Sequence, residues 1–378
     1  MTNVILLISA VILFSYVVQF CNRNAVKAAL SPFNENNSRA FITIGLVFFI
    51  AAVALLVVFA GFRTNYNDTF MYIHSFNLLD TTVSEYIQSR PSWKDNIFFN
   101  LLQIFIKQFI SNDPAYLVFI STIIPMVSLL LFFYRKTDSF GDCVFLFFSM
   151  GLMFFSMGAM KQFIAIGIGV WAIPLAYERK WFKFALVIFV AMMFHKYAFF
   201  YLTVLLFLDD DIWTWKSVIM LMIVVLIGFS FGTFAPAFIE STEDIADGYD
   251  MSYMEEGVSF FRVLVYAVPP AISFVCRKYV NENAPQYIKI CLNLGIVTFL
   301  MILLAFFGGA IIFSRFAYYL EPVMYIGFIW LVKNCFAGKL KMVVSLVYYP
   351  AFLYYFAYND FIHMEFMFKS LIESFNTY

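Results

Sequence analysis

Arg63, Asp68, Lys161, His195, Lys196, Arg315 and Glu321 each lie inside or at the lip of a long apolar stretch of this 378-residue chain. A charge placed in hydrocarbon is penalised, so each is a functional candidate by default. Their types are complementary. Three well-separated cations, Arg63, Lys161 and Arg315, suit a leaving group with two negative charges such as a diphosphate, neutralised without a metal. His195, in MMFHKYAFFYL, can accept a hydroxyl proton near neutral pH as a neutral imidazole; Asp68, in GFRTNYNDTFMYI, is the second candidate base.

Each residue also has a plainer alternative. Arg63 closes an apolar run, where a snorkelling arginine would cap a helix end. Asp68 suits a turn or an N-cap. Lys161 and Gln162 head the small-residue segment GAMKQFIAIGIGV, which would let helices approach closely and would offer helix N-terminal amides to an anion; a snorkelling lysine is the alternative. A lone histidine such as His195 is usually a satisfied core residue, but here it interrupts an apolar run beside Lys196. Arg315 begins a late apolar segment just after Gly308 and Gly309, and Glu321 lies further along it before Pro322. The acidic run Glu240, Glu243, Asp244, Asp247, Asp250, Glu255 and Glu256 has irregular spacing and reads as a solvated lid. Cys21, Cys143, Cys276, Cys291 and Cys335 are scattered, without CxxC spacing, and read as small packing residues. No metal site and no cofactor are expected.

The elements that must position these groups are membrane helices. Hydrophobic residues make up 63% of the chain and charged residues 13%, against roughly 25% charge in soluble domains. No packing in water hides that excess. The net charge is zero, which argues against a nucleic-acid partner. A spanning helix needs about 20 apolar residues. Candidate spans cover residues 3–20, 40–62, 115–134, 141–159, 162–177, 217–234, 260–276, 286–311, 315–332 and 342–358. The 182–208 stretch is apolar but broken at His195-Lys196.

Basic residues favour the inner side of short loops. Arg23, Lys27 and Arg39 follow the first span, which therefore reads as an anchor with its N-terminus outside. Alternation keeps Arg135-Lys136, Arg179-Lys180-Lys183, Arg277-Lys278-Lys289 and Lys333-Lys339-Lys341 inside only if 182–208 crosses twice, as a broken or re-entrant pair with its tip near His195. The expectation is an all-α polytopic membrane protein: a single transmembrane domain, 1–378, with about 12 segments and both termini outside. Two outer loops follow, 63–114 with an interfacial helix at Asn96–Ile110, and the acidic 233–259. In this topology the candidate residues all face outward. Aromatic residues reach 21%, more than interfacial belts require.

The stretches GFRTNYNDTFMYI, MKQFIAIGI, ERKWFKFALVIFVAMMFHKYAFFYL and SRFAYYLEPVMYI, in that order across residues 60–330, resemble the EpsG-type family of exopolysaccharide polymerases, the Wzy-like proteins of capsule loci. Lys161 stands where the family has an arginine, and Asn67-Asp68-Thr69 replaces a glycine-containing turn. The resemblance implies a GT-C-like membrane glycosyltransferase of the bacterial cytoplasmic membrane, with its active site facing outside. It would pass a growing glycan from polyprenyl (undecaprenyl) diphosphate to a hydroxyl of a lipid-linked repeat unit. It implies His195 and Asp68 as catalytic groups. Arg63, Lys161, Gln162, Arg315, Tyr72, Lys196 and Glu321 would bind diphosphate or glycan. Implied partners are polyprenyl-diphosphate-linked oligosaccharides, membrane lipid, and a chain-length regulator and flippase of the same pathway. A lipid-linked oligosaccharide flippase, and a polysaccharide ligase or other GT-C glycosyltransferase, remain alternatives; a flippase often carries internal repeats, and none is evident.

Overall fold

The computed structural model describes residues 2–29, 35–92, 95–242, 257–361 and 369–370. Residues 243–256, most of the acidic run, and residues 371–378 lie outside the described residues. Among the described residues the fold is all-α apart from one short pairing of two strands. The chain forms two compact units. One comprises Met1–Trp171, Phe182–Phe199 and Pro350–Tyr378; the other comprises Ala172–Trp181 and Phe200–Tyr349.

In the first unit α1 (Thr2–Ala29) and α2 (Glu35–Gly61) pair along their length, with the Ser38 hydroxyl donating to the Ala25 carbonyl at 3.0 Å. Strand β1 (Arg63–Asn65) follows, then the short helices α3 (Thr69–Leu78) and α4 (Val83–Gln88), and α5 (Ile97–Phe109). Helix α5 coincides with the expected interfacial helix, and Asn96 before it sits in the left-handed region at φ 52°. Lys107 of α5 donates to the carbonyls of Phe76, Asn77 and Leu79 at 3.0, 2.9 and 2.6 Å. The Phe76 carbonyl also accepts the Leu79 N–H at 3.3 Å, and a cation on these C-terminal carbonyls of α3 complements the helix dipole.

Helix α6 (Ala115–Lys136) packs on α9 (Met160–Gly169), and between them run α7 (Phe140–Ser149) and α8 (Leu152–Gly158), bent against each other by 59°. A β-carbon at Gly167 would lie 2.7 Å from the Pro125 Cα, so only glycine permits this approach; Ser128 then donates to the Gly167 carbonyl at 2.7 Å. The small residues after Lys161 thus serve close helix packing. The carboxylate of Asp142, buried in α7, accepts from Tyr16 at 3.0 Å and Gln19 at 3.2 Å, which ties α7 to α1. Strand β2 (Lys369–Ser370) pairs antiparallel with β1, placing Ser370 opposite Arg63.

Next come α10 (Ala172–Tyr177), α11 (Trp181–Phe194) and, directly after His195, a 3₁₀ helix over Lys196–Leu206. At about 1.5 Å per α-helical residue and about 2.0 Å per 3₁₀ residue, each arm is roughly 21–22 Å long. Arg179 and Asp209, at the two ends, form an ion pair at 2.5 Å. The chain therefore turns at His195 and returns to where it started, which excludes one straight crossing. The neighbouring carboxylates are paired too, Asp210 with Lys216 and Asp211 with Lys289, both at 2.6 Å. The Asp209-Asp210-Asp211 run is thus engaged in ion pairs.

The second unit continues with α12 (Trp215–Thr242) and helices Phe260–Val275, Arg277–Asn283, Gln286–Phe307, Ala310–Asn334 and the start of Gly338–Phe356. Helices Gln286–Phe307 and Ala310–Asn334 pack on each other along their length across a tight turn at Gly308 and Gly309. Gly309, at φ +63°, occupies a conformation that side chains resist. Among the described residues six helices are long and apolar enough to cross a membrane, or eight if each bent pair is one span. Shorter apolar helices, including both arms of the segment broken at His195, occupy other expected spans. Length and composition thus establish a polytopic helical membrane protein and account for six to eight of the expected crossings.

Candidate functional site

Arg63 follows the end of α2 and turns into protein, where it is 2% exposed. Its Nε donates to Thr69 Oγ1 at 3.0 Å, and Nη1 donates to the Ala60 carbonyl and to Thr122 Oγ1, the latter at 3.1 Å. The Thr69 hydroxyl donates in turn to the Met157 carbonyl at 3.2 Å. Nη2 has no hydrogen-bond partner, and among the described residues no carboxylate pairs with this guanidinium. Burial pushes its pKa well below the usual arginine range, with Tyr72 and Tyr66 acting in the opposite direction. A buried cation with an idle donor is costly on its own and receptive to an anion.

The loop after Arg63 carries Asn67 at φ 48° and Asp68, which precedes α3 without capping it through its side chain. Asn67 lies against Gly158, where an added β-carbon would come within 3.1 Å of it. Two residues further on, at the break between α8 and α9, the chain starts α9 with Met160, half-buried Lys161 and fully buried Gln162. The relay from Arg63 through Thr69 to Met157 therefore ends four positions before Lys161.

A second set of contacts draws in the remaining residues of this unit. One hydrophobic cluster holds Phe76 of α3, Phe99 and Ile106 of α5, Leu117 and Val118 of α6, and Met160 and Ile164 of α9, with Tyr72 and Phe194 packed on its edge. Tyr72 is thus a cluster member, Met160 is the neighbour of Lys161, and Phe194 is the neighbour of His195. The Phe194 ring also meets Phe98 of α5 at 5.7 Å. His195 is 1% exposed, its ring edge-on to Tyr197 at 5.0 Å, and Lys196 holds its Nζ 5.7 Å from the centre of the same ring. Arg63, Asp68, Tyr72, Lys161, Gln162, His195 and Lys196 all belong to the first unit, and of these Tyr72 packs on the cluster itself.

Arg315 and Glu321 belong to the second unit. Arg315 is half-buried, and Glu321 is fully buried and accepts from the Tyr325 hydroxyl one turn later. On the same helix Phe316 and Tyr319 pack against Phe200 and Tyr201 of the 3₁₀ segment, at 4.9 and 5.4 Å. Arg262, in the first turn of Phe260–Val275, donates to the Tyr318 hydroxyl and lies over the rings of Tyr266 and Tyr318.

Sequence reasoning passed over Arg262, and it passed over Thr69 and Thr122, which orient Arg63. Arg262 carries a sequence signal, an arginine at the head of an apolar run four positions before a tyrosine. The threonines carry none, because a threonine is ordinary in any helix. Among the described residues no three His, Cys, Asp or Glu side chains cluster as metal ligands would.

The same stretch of chain that builds this site is matched by one family profile, that of the EpsG family, over residues 46–370. The chain belongs to the EpsG family. The match begins inside α2 and ends on β2, so it covers Arg63, helices α3 to α5 and every candidate residue. No curated protein and no solved structure matches the chain. EpsG membership, joined to the apolar helices, points to a multi-pass membrane protein of glycosyltransferase-like polymerase type acting in exopolysaccharide synthesis.

Proposed function

We propose that this EpsG-family protein polymerises lipid-linked oligosaccharide repeat units at the outer face of the bacterial cytoplasmic membrane. The donor is the growing glycan on polyprenyl diphosphate, and the acceptor is one lipid-linked repeat unit. Twelve membrane segments in a single GT-C-like domain are the architecture this reading assumes, with the 63–114 and 233–259 loops outside. A flippase delivers the repeat unit and a chain-length regulator tunes the product.

The observation that carries the reading is Arg63, which is buried and, among the described residues, pairs with no carboxylate and keeps Nη2 without a partner. A fixed cation of this kind matches charge developing on a leaving diphosphate and costs no reorganisation when the reaction occurs. In the proposed step a hydroxyl of the acceptor attacks the anomeric carbon of the donor. The bond from that carbon to the diphosphate oxygen breaks, and the hydroxyl proton passes to His195, or to Asp68 as the second candidate. Arg63, Lys161 and Arg315 take up the negative charge of the polyprenyl diphosphate. Gln162, Tyr72, Lys196 and Glu321 contact glycan or diphosphate. The clamp supplies the electrostatic role that a metal ion would otherwise fill.

Purified protein incubated with a polyprenyl-diphosphate-linked repeat unit should give a ladder of products that differ by one repeat. Release of single glycans to a different acceptor would favour a ligase. Movement of the intact lipid between leaflets of a vesicle, without new glycosidic bonds, would overturn the proposal in favour of a flippase.

A further inference from the structure

Arg63–Asn65 leave the end of α2 as an extended tripeptide, so no helix ladder supplies partners for its backbone. Strand β2 does so instead: Arg63 lies opposite Ser370 and Asn65 opposite Lys369. The register is irregular. Two residue steps on β1 face one step on β2, which makes Thr64 the extra residue of a β-bulge. Bulges bend a strand, re-aim its side chains and recur beside active sites. Here Arg63 is buried and Thr64 is exposed.

The same end of the chain holds the far side of the Arg63 relay. From Pro350 onward the helix Gly338–Phe356 belongs to the first unit, and its Phe352 and Tyr355 are buried. The Phe356 ring stacks on Phe154 of α8 at 5.3 Å, three residues before Met157, whose carbonyl accepts from Thr69. One stretch of chain thus contacts both ends of the relay from Arg63 through Thr69 to Met157.

We propose that β2 is a positioning element of the catalytic site, a strap that fixes the backbone at Arg63 and so aims its guanidinium at the leaving diphosphate. This rests on Arg63 acting on the diphosphate; β2 itself touches no substrate. A two-residue pairing adds little to the stability of a helical bundle, so its loss should appear in turnover and not in unfolding.

The test uses the full chain in detergent micelles with a polyprenyl-diphosphate-linked repeat unit. Lys369→Pro with Ser370→Pro removes backbone donors and fixes φ, which breaks the pairing. Lys369→Val with Ser370→Val keeps a strand-forming sequence without either side chain. The proline pair should lower kcat by about 10–100-fold at unchanged KM and melting temperature, the order of loss from a misplaced catalytic group. The valine pair should stay near wild type. Added to Arg63→Ala, the proline pair should cost nothing further, because both remove the same interaction. Losses that multiply, a valine pair as slow as the proline pair, or wild-type turnover from the proline pair would each overturn the proposal.

Two readouts are independent of polymerisation. Phenylglyoxal, an arginine reagent, should spare Arg63 in the wild type and label it in the proline pair, read by peptide mass; equal labelling sinks the strap. Asn65→Cys with Lys369→Cys should close a disulfide across the pairing on oxidation, and turnover should be the same before and after closure. Folded protein that never forms this bond, or that loses turnover when it closes, would mean that β2 is no fixed strap. A wild type that makes no ladder, or Arg63→Ala with full turnover, is a different failure. It removes the role given to Arg63, while the labelling and the cross-link still report on β2.

Discussion

Arg63 donates from Nε to the Thr69 hydroxyl at 3.0 Å, and Thr69 passes the hydrogen bond on to the carbonyl of Met157 at 3.2 Å. Six residues separate the first pair and eighty-eight the second, so one threonine joins the end of α2 to the end of α8. The carbonyl at a helix C-terminus has no intrahelical donor, and the hydroxyl supplies one. The guanidinium is held on three sides by Thr69, Thr122 and the Ala60 carbonyl, with Nη2 left over.

If that leftover donor meets a leaving diphosphate, Arg63→Ala should lower turnover by about 10²–10³-fold, the usual cost of one preorganised donor. Arg63→Lys should recover only part, because a point charge cannot keep the Thr69 and Thr122 contacts and present a further donor. Thr69→Val keeps the cation but frees its orientation, and should give a smaller loss. Turnover assays on folded protein decide the matter; Arg63→Ala with wild-type turnover and reduced expression would leave it a purely structural residue.

Lys161→Arg should be tolerated or improve turnover, since a planar fork can make two contacts to a phosphate where the ammonium makes one. Lys161→Met should lose activity without a drop in melting temperature. Comparable losses in both variants would mean that the lysine packs in place and binds nothing.

His195→Ala should abolish turnover while a lipid-linked substrate still binds. A packing role predicts instead that His195→Gln stays active and that His195→Ala mainly lowers the melting temperature, given that the ring is 1% exposed against Tyr197. Near wild-type polymer from the alanine variant transfers the role of base to Asp68, where Asp68→Asn is the next measurement.

Lys107 carries a prediction about stability. Its three bonds hold the end of α3 against α5, and hydrogen bonds to a charged group contribute about 1.5–3 kcal/mol each before solvent exposure is discounted. Lys107 is half-buried, so Lys107→Met should destabilise by about 1–3 kcal/mol in total, measured by thermal unfolding in micelles. Turnover should fall as well, because Tyr72 and Phe76 share the apolar cluster beside the site.

Turnover should survive a chelator of divalent cations, because the arginine and lysine clamp supplies the charge neutralisation. Loss of activity restored by back-titration with Mg²⁺ or Mn²⁺ would remove the clamp as the main source of stabilisation and direct attention to the acidic 233–259 loop.

The sequence by itself determined that this chain lives in lipid, because a 63% hydrophobic composition has no solution in water. It located the long helices, since about 20 apolar residues in a row can be little else in a bilayer. It also marked the break at His195, where α11 ends and a 3₁₀ helix begins, and the ion pair of Arg179 with Asp209 at 2.5 Å brings the two ends of that stretch together. Family membership was legible too, in the order of four short motifs. The partners were not. Nothing in GFRTNYNDTFMYI says that Thr69 reaches Met157, that Arg63 reaches Thr122 of α6, or that Lys107 caps α3. Hydropathy is a property of segments, whereas a hydrogen bond depends on which faces two helices turn toward each other. Those faces are set by close approaches such as Gly167 against Pro125, and only the folded chain decides them.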